Sequence, residues 1–139
     1  MLTTIEKVAM LRGSDLFSAT PNHVLASVAS IAEEVEFSAD ETFISENEME
    51  DDMFLITEGR VRVHREGKTL AELESGEVVG EMEALSPAPR SASITAKEVT
   101  RALRIPKAAF DEILATRFEI VQAVIDVLVE RLRDAAQRD

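Results

Sequence analysis

The feature that most constrains this chain is a series of short apolar segments in its middle, each ended by a turn signal. Between residues 34 and 105 the apolar side chains recur at every second position, which is the period of a β-strand with one buried face. Glu58-Gly59 and Glu66-Gly67 separate neighbouring segments at the spacing of hairpin turns. The region holds about eight such segments, so the sequence predicts a mainly β fold of the jelly-roll or small-barrel type.

The segments on either side have the 3.6-residue period of helices. Thr3 and Glu6 form a capping box for a first helix, and Thr20 followed by Pro21 indicates the N-cap and first position of a second. After Pro106 the helical period returns and continues to the last residue. We therefore predict a single domain over residues 1–139, with N-terminal helices in 1–33, β structure in 34–105 and a C-terminal helix in 106–139.

Composition and charge exclude several functions. The 139 residues carry 27 acidic against 15 basic side chains and contain no cysteine. The acid excess argues against a nucleic-acid-binding surface, because binding a polyanion requires Lys and Arg to displace counterions. The lack of cysteine excludes disulfide scaffolds, zinc–thiolate sites and thiol nucleophiles, and it fits a cytoplasmic protein. No apolar run reaches the roughly 18 residues of a membrane span, so we expect no membrane insertion.

Metal and enzyme chemistry lack candidate residues. His23 and His64 are the only histidines and stand 41 positions apart, which disfavours a histidine-rich metal site. The acidic run from Glu46 to Asp52 lacks the ligand spacing of an EF-hand and is expected to be a solvated loop. The sequence shows no metal cluster and no nucleophile–base pair, so we expect no metal and no enzyme activity. An enzyme on a related jelly roll is the least favoured alternative.

The segment of residues 79–94 is unusual for a connection between strands. Gly80 lets the backbone approach another group closely, and the residues after it are able to form one helical turn. Arg90 and Ser91 follow at the start of the next strand. A helix N-terminus, an arginine and a hydroxyl together make a compact phosphate site. Glu81 only accepts hydrogen bonds when it is ionised, so it suits a sugar hydroxyl.

This segment resembles the phosphate-binding cassette of cyclic nucleotide-binding domains. The Gly80-Glu81 pair, the later Pro89-Arg90 pair and the small residues after it carry the resemblance. The hairpin around Gly59 and the early Leu16-Phe17 pair resemble the same family, so the resemblance covers essentially the whole chain. It implies an eight-stranded antiparallel β-roll with flanking helices, which holds cAMP or cGMP in a cassette of residues 79–94.

The resemblance also implies a role for particular side chains. The Glu81 carboxylate would take the ribose 2′-hydroxyl, and the Arg90 guanidinium would pair with the cyclic phosphate, with help from Ser91. We favour cAMP over cGMP as the ligand, although a hydroxyl such as that of Ser91 donates or accepts and does not itself choose the base. No other cofactor is implied. The predicted ligand-binding residues are Gly80, Glu81, Met82, Glu83, Arg90, Ser91, Ala92 and, around the base, Val63, Leu70 and Ala71.

Among the departures from the family pattern, two bear on the ligand site. Val79 stands where the family commonly has a large aromatic residue, and Glu83 stands where a small residue is usual. Glu83 puts a second carboxylate near the proposed phosphate. These departures support an alternative function, a β-roll interaction module that has lost nucleotide binding. In a further alternative, Arg90 is a surface arginine paired with Glu81 or Glu83.

The implied function is that of a sensor domain that signals through its C-terminal helix, which would swing toward the base. The sequence contains no DNA-reading helix-turn-helix, kinase motif or channel, so we expect one domain of a longer protein or a small subunit that acts through a partner. The last helix carries more apolar surface than the β-roll is able to cover. This uncovered apolar surface predicts a homodimer, or docking to a larger protein, through Val121, Val124, Ile125, Leu128 and Leu132.

Overall fold

Eight antiparallel strands form the centre of the molecule within residues 1–138, the part of the chain that our computed structural model describes. Asp139, the last residue of the predicted C-terminal segment, lies outside the described residues. The strands match the eight apolar segments of the sequence, which confirms the predicted mainly β roll. They are β1 (Glu33–Phe37), β2 (Thr42–Ile44), β3 (Met53–Glu58), β4 (Arg60–Arg65), β5 (Lys68–Glu74), β6 (Val78–Val79), β7 (Ser93–Ala96) and β8 (Thr100–Ile105).

The strands make two four-stranded sheets. The first sheet has the order β1-β8-β3-β6 and the second the order β2-β7-β4-β5. Within the first sheet, β3 is buried on both faces: Met53 and Leu55 pack with the helices, whereas Phe54 and Ile56 pack against the second sheet. Because alternate side chains of a strand point to opposite faces, burial of both faces gives a continuous apolar run. This double burial explains why β3 lacks the polar alternation of an edge strand.

Five helices complete the described part of the chain. The Thr3–Glu6 capping box is present at the start of the first, where each residue's side chain accepts from the other's backbone N–H. The second helix begins one residue later than predicted, because the Pro21 carbonyl accepts the first helical hydrogen bonds, from the backbone N–H groups of Val24 and Leu25, and Pro21 is therefore the N-cap. The helices are α1 (Thr4–Arg12), α2 (Asn22–Ile31), α3 (Glu81–Leu85), α4 (Lys107–Thr116) and α5 (Phe118–Gln137).

The predicted C-terminal helix is divided into α4 and α5. Arg117 lies between them with φ −126° and ψ 87°, outside the helical region. The hydroxyl of Thr116 donates to the Glu112 carbonyl at 2.9 Å, a local hydrogen bond that bends or ends helices. The break lets α5 turn and bury Ile120 and Val124 in the helical core. No helix among residues 1–138 combines the length and the hydropathy needed to cross a bilayer.

The segment singled out in the sequence is the connection between the two sheets. It leaves β6 at the edge of the first sheet, passes through α3 and enters β7 inside the second sheet. Val79, at the end of β6, is buried between the sheets and pairs with Phe54. The crossing therefore places α3 between the edge of the first sheet and the inside of the second along the chain.

Candidate functional site

Gly80 allows the backbone to lie close to the Arg90 side chain. It joins β6 to α3 with φ +79°, a left-handed conformation that glycine adopts without strain. A Cβ at this position would lie 2.7 Å from Arg90 Nη1 and 2.9 Å from the Asp52 carbonyl oxygen. Arg90 Nη1 donates to the Gly80 carbonyl at 3.0 Å. Glycine is thus required for the turn and for the arginine to reach the backbone.

Arg90 is the most deeply enclosed charged side chain among the described residues. Its side chain is only 1% exposed. Besides the Gly80 carbonyl, it donates from Nη1 to Glu83 Oε1 at 3.1 Å and from Nη2 to the Asp52 carbonyl at 2.5 Å. Its Nε is also buried and has no hydrogen-bond partner. The guanidinium is therefore fixed by two neutral carbonyls and one carboxylate, and three of its five N–H bonds are used in these contacts.

The acidic loop before β3 holds the arginine in place. The backbone N–H of Asn47 donates to the Arg90 carbonyl, and the backbone N–H of Arg90 donates to the Glu48 carbonyl. Asp52 has a second function, because its carboxylate accepts from Arg104 Nε at 2.8 Å and from the Lys107 backbone at 3.1 Å. Glu48 is exposed, as expected for a solvated loop, but Asp52 is not. Asp52 is a residue of the site that the sequence did not reveal.

Glu83 is the ionised partner of Arg90. Its side chain is 10% exposed, so the pair is almost entirely removed from water. The sequence left open that Arg90 is a surface arginine paired with Glu81 or Glu83. The partner is Glu83, and the pair is buried rather than on the surface. A buried carboxylate of this kind is stabilised mainly by its cation, because its desolvation is costly.

Glu81 is linked to the C-terminal helix. Its Oε1 accepts from Arg131 Nη1 of α5 at 3.2 Å, and Arg131 Nη2 lies 3.6 Å from Asp15 Oδ2. Burial raises the pKa of Glu81, while its own backbone N–H and Arg131 act in the opposite direction. Asp15 also accepts from the Val78 backbone at 3.1 Å. One cation on α5 thus joins the cassette to the segment that follows α1.

A pocket of about 160 Å³ lies between the cassette and the second sheet. This is smaller than the ~300–1,000 Å³ typical of small-molecule sites, so a nucleotide requires some side chains to move. Predicted residues that line the pocket come from the cassette and from β4. They are Gly80, Glu81, Met82, Glu83, Ser91, Ala92 and Val63.

Three predicted residues lie outside the lining. Arg90 is bonded to Gly80 and Glu83 of the lining but does not itself line the pocket, and Leu70 and Ala71 are on β5. Leu70 is 50% exposed, whereas Leu73 of the same strand lines the pocket. The sequence also missed Ile44, Val78, Val79 and Ile94 as pocket residues. Ile94 is the cross-strand partner of Val63, so correct strand pairing would have revealed it.

Comparison with known proteins identifies the family of the chain. Residues 34–117 match the cyclic nucleotide-binding domain family, and the chain belongs to that family. It is 27% identical to the N-terminal domain of a transcriptional regulator from Streptomyces coelicolor A3(2), with a TM-score of 0.82 over 93% of this chain and 94% of that one. The fold, the cassette and this membership define a cyclic nucleotide-binding regulatory domain.

Two curated relatives are longer than this chain. The Pycsar effector protein XpPycTIR of Xanthomonas perforans is 30% identical over 108 residues, which cover 77% of this chain and 36% of that protein. The CRP-like cAMP-activated global transcriptional regulator of Mycobacterium tuberculosis is 26% identical over 129 residues, which cover 89% of this chain and 58% of that protein. The chain thus spans about a third of the length of the Pycsar effector and somewhat over half of the length of the transcriptional regulator.

Proposed function

We propose that the chain is the non-catalytic sensor module of a cytoplasmic regulatory protein, that its ligand is cAMP rather than cGMP, and that it signals through α5. The observation that carries this proposal is the cassette itself, in which Gly80 and Glu81 line one pocket and Arg90 is bonded to Gly80 from outside the lining. The cAMP-activated regulator of Mycobacterium tuberculosis supports the choice of nucleotide. The net charge of −12 makes local positive charge at Arg90 the main attraction for an anion.

In the proposed complex each part of the nucleotide meets a different group. The ribose 2′-hydroxyl donates to the Glu81 carboxylate, and the cyclic phosphate accepts from Arg90 and from the Ser91 hydroxyl. The base packs on Val63. Leu73 takes the base-contacting role that the sequence gave to Leu70 and Ala71, because Leu73 lines the pocket and they do not.

The proposed signal begins with competition for Glu81. The ribose hydroxyl and the Arg131 guanidinium both require the same carboxylate, which Arg131 now holds at 3.2 Å. When the hydroxyl binds, Arg131 loses one of its two acidic partners and keeps only Asp15, at 3.6 Å. The end of α5 is then less firmly held and becomes free to move toward the base. The ligand thereby favours one position of the helix, as differential affinity requires.

Replacing Glu81 by Gln tests both the binding of the ribose hydroxyl and the release of Arg131. We expect cAMP binding to weaken about tenfold or more, because the acceptor of the ribose hydroxyl loses its charge, and 2′-deoxy-cAMP binding to change much less. Without ligand, hydrogen exchange near Arg131 should accelerate. Titration calorimetry and exchange mass spectrometry measure the two effects. Glu130→Gln, which removes an exposed acid beside Arg131, should show neither. Equal losses for the two nucleotides would give Glu81 only a structural role.

The structure divides the apolar stripe on α5. Val124 is buried in the domain's own core and Val121 and Leu128 are half-buried, whereas Ile125 and Leu132 remain exposed. The sequence is therefore wrong in placing Val124 on an uncovered face. Phe118 is exposed too and stands seven residues before Ile125, which stands seven before Leu132. We propose that this line, together with the half-buried Val121 and Leu128 between its members, is the seam of a homodimer, because apolar residues at alternating steps of three and four form the contact face of a coiled coil.

A double substitution, Ile125→Glu with Leu132→Glu, tests the dimer. We expect the wild-type protein to sediment as a dimer and the variant as a monomer, since the seam would hold four carboxylates. Both sites are exposed in one chain, so the melting temperature of the monomer should change little. A wild type that also sediments as a monomer would show that the dimer proposal is wrong.

A further inference from the structure

We infer that Glu83 is an internal competitor for the phosphate of the ligand: its carboxylate occupies the pocket-facing side of Arg90, and a cyclic nucleotide binds by displacing it. The inference rests on the proposed function and concerns the same site. It identifies Glu83 as the residue that sets the affinity of the site for phosphorylated ligands.

The position of Glu83 relative to the pocket is the first argument. Glu83 lines the pocket, whereas Arg90 does not and is 1% exposed. The two side chains are 3.1 Å apart between Arg90 Nη1 and Glu83 Oε1. A phosphate that enters from the pocket therefore meets the carboxylate before it meets the guanidinium.

The other partners of Arg90 give the second argument. The carbonyls of Gly80 and Asp52 are neutral and belong to the backbone, so they anchor the guanidinium without cancelling its charge. Glu83 is the only ionised group among the side-chain contacts of Arg90 in the described residues. Glu83 is thus the one contact that must change for an anion to take the positive charge.

The charge balance of the buried pair gives the third argument. One cation neutralises one carboxylate in the present arrangement. A phosphate that entered while Glu83 stayed would place two anions beside one cation in a region nearly closed to water, where like charges repel strongly. Glu83 must therefore leave Arg90, and the free energy of the pair is subtracted from that of phosphate binding. A ligand without phosphate escapes this competition.

The test compares ligands with and without phosphate on the wild type, Glu83→Gln and Glu83→Ala. We expect cAMP to bind at least about tenfold more tightly to both variants, as for the removal of a competing charged hydrogen bond. Adenosine should bind all three proteins within about twofold, because it does not reach Arg90. Glu50→Gln is the matched control: it removes one exposed negative charge from the loop that packs on Arg90 and should leave cAMP binding unchanged.

A thermal measurement serves as a second readout. Without ligand, Glu83→Gln should melt at a lower temperature than the wild type, since Arg90 is left buried without its counter-charge. Saturating cAMP should raise the melting temperature of the variant by more than that of the wild type, because tighter binding stabilises the folded state further. A purely structural role for Glu83 predicts the first effect without the second.

The outcomes separate this inference from the proposed function. If the wild type binds cAMP and Glu83→Gln binds it no more tightly, the inference fails and the sensor function stands. If cAMP binds only to the Glu83 variants, the inference holds and the wild-type domain is not a cAMP sensor. If none of the three proteins binds cAMP or cGMP, both ideas fail.

Discussion

Replacing Arg90 by Ala should abolish measurable cyclic nucleotide binding and lower the free energy of unfolding by about 3 kcal/mol. The loss of binding follows from removing the only charged donor proposed for the phosphate. The loss of stability follows from the structure, because Glu83 would remain buried without its cation and the Gly80 and Asp52 carbonyls would lose their donor. The sequence alone predicts the loss of binding with an intact fold, because it does not reveal that the Arg90 side chain is buried. Titration calorimetry and urea unfolding measure the two effects separately.

The double variant Arg90→Ala with Glu83→Ala is the control for this experiment. It removes both charges of the buried pair, so it should recover part of the stability lost in Arg90→Ala while it still fails to bind nucleotide. An Arg90→Ala protein that binds cAMP within about twofold of the wild type would disprove the cassette assignment. An Arg90→Ala protein as stable as the wild type would show that the ion pair of Arg90 and Glu83 is not buried in solution.

Replacing Gly80 by Ala should be the next most damaging change to the site. A Cβ there would lie 2.7 Å from Arg90 Nη1 and 2.9 Å from the Asp52 carbonyl oxygen, which are the atoms that fix the guanidinium. The backbone is also left-handed at this position, which costs alanine about 1–2 kcal/mol. We expect a total loss of about 3 kcal/mol or more in unfolding free energy, and nucleotide binding weakened because Arg90 is pushed aside.

Gly67 provides a matched control for that variant. Its φ of +80° equals that of Gly80 within a degree, but a Cβ there would meet nothing within 4 Å. Gly67→Ala should therefore cost only the left-handed strain, about 1–2 kcal/mol, and should leave nucleotide binding unchanged. If the two variants were equally stable in urea and bound cAMP equally, the close approach of Gly80 to Arg90 would contribute neither to stability nor to binding.

The strands were predictable because their signals are local. Each apolar segment ends within a few residues at a turn, and Gly59, Gly67 and Gly76 all have positive φ in the structure. Period-two alternation then assigns the faces. The cassette was predictable for a different reason, because its residues lie within one short stretch and resemble those of a family.

The remaining parts of the site depend on contacts between distant residues. Asp52 meets Arg90 across 38 positions, and Arg131 meets Glu81 across 50. Neither pair leaves a periodic trace in the sequence. The sequence also could not decide whether Leu70 or Leu73 lines the pocket, because this depends on how β5 pairs with β4. The break at Arg117 was hidden because the apolar residues of α4 and α5 both fit a helical period.

The central claim is that this domain binds a cyclic nucleotide at a cassette partly closed by Glu83. Titration calorimetry of the wild type and of Glu83→Gln, each with cAMP and with cGMP, tests it most directly. The account predicts one cAMP per chain for both proteins, weaker cGMP binding, and a Kd for cAMP at least about tenfold lower in the variant. Absence of binding by either nucleotide to both folded proteins would contradict it.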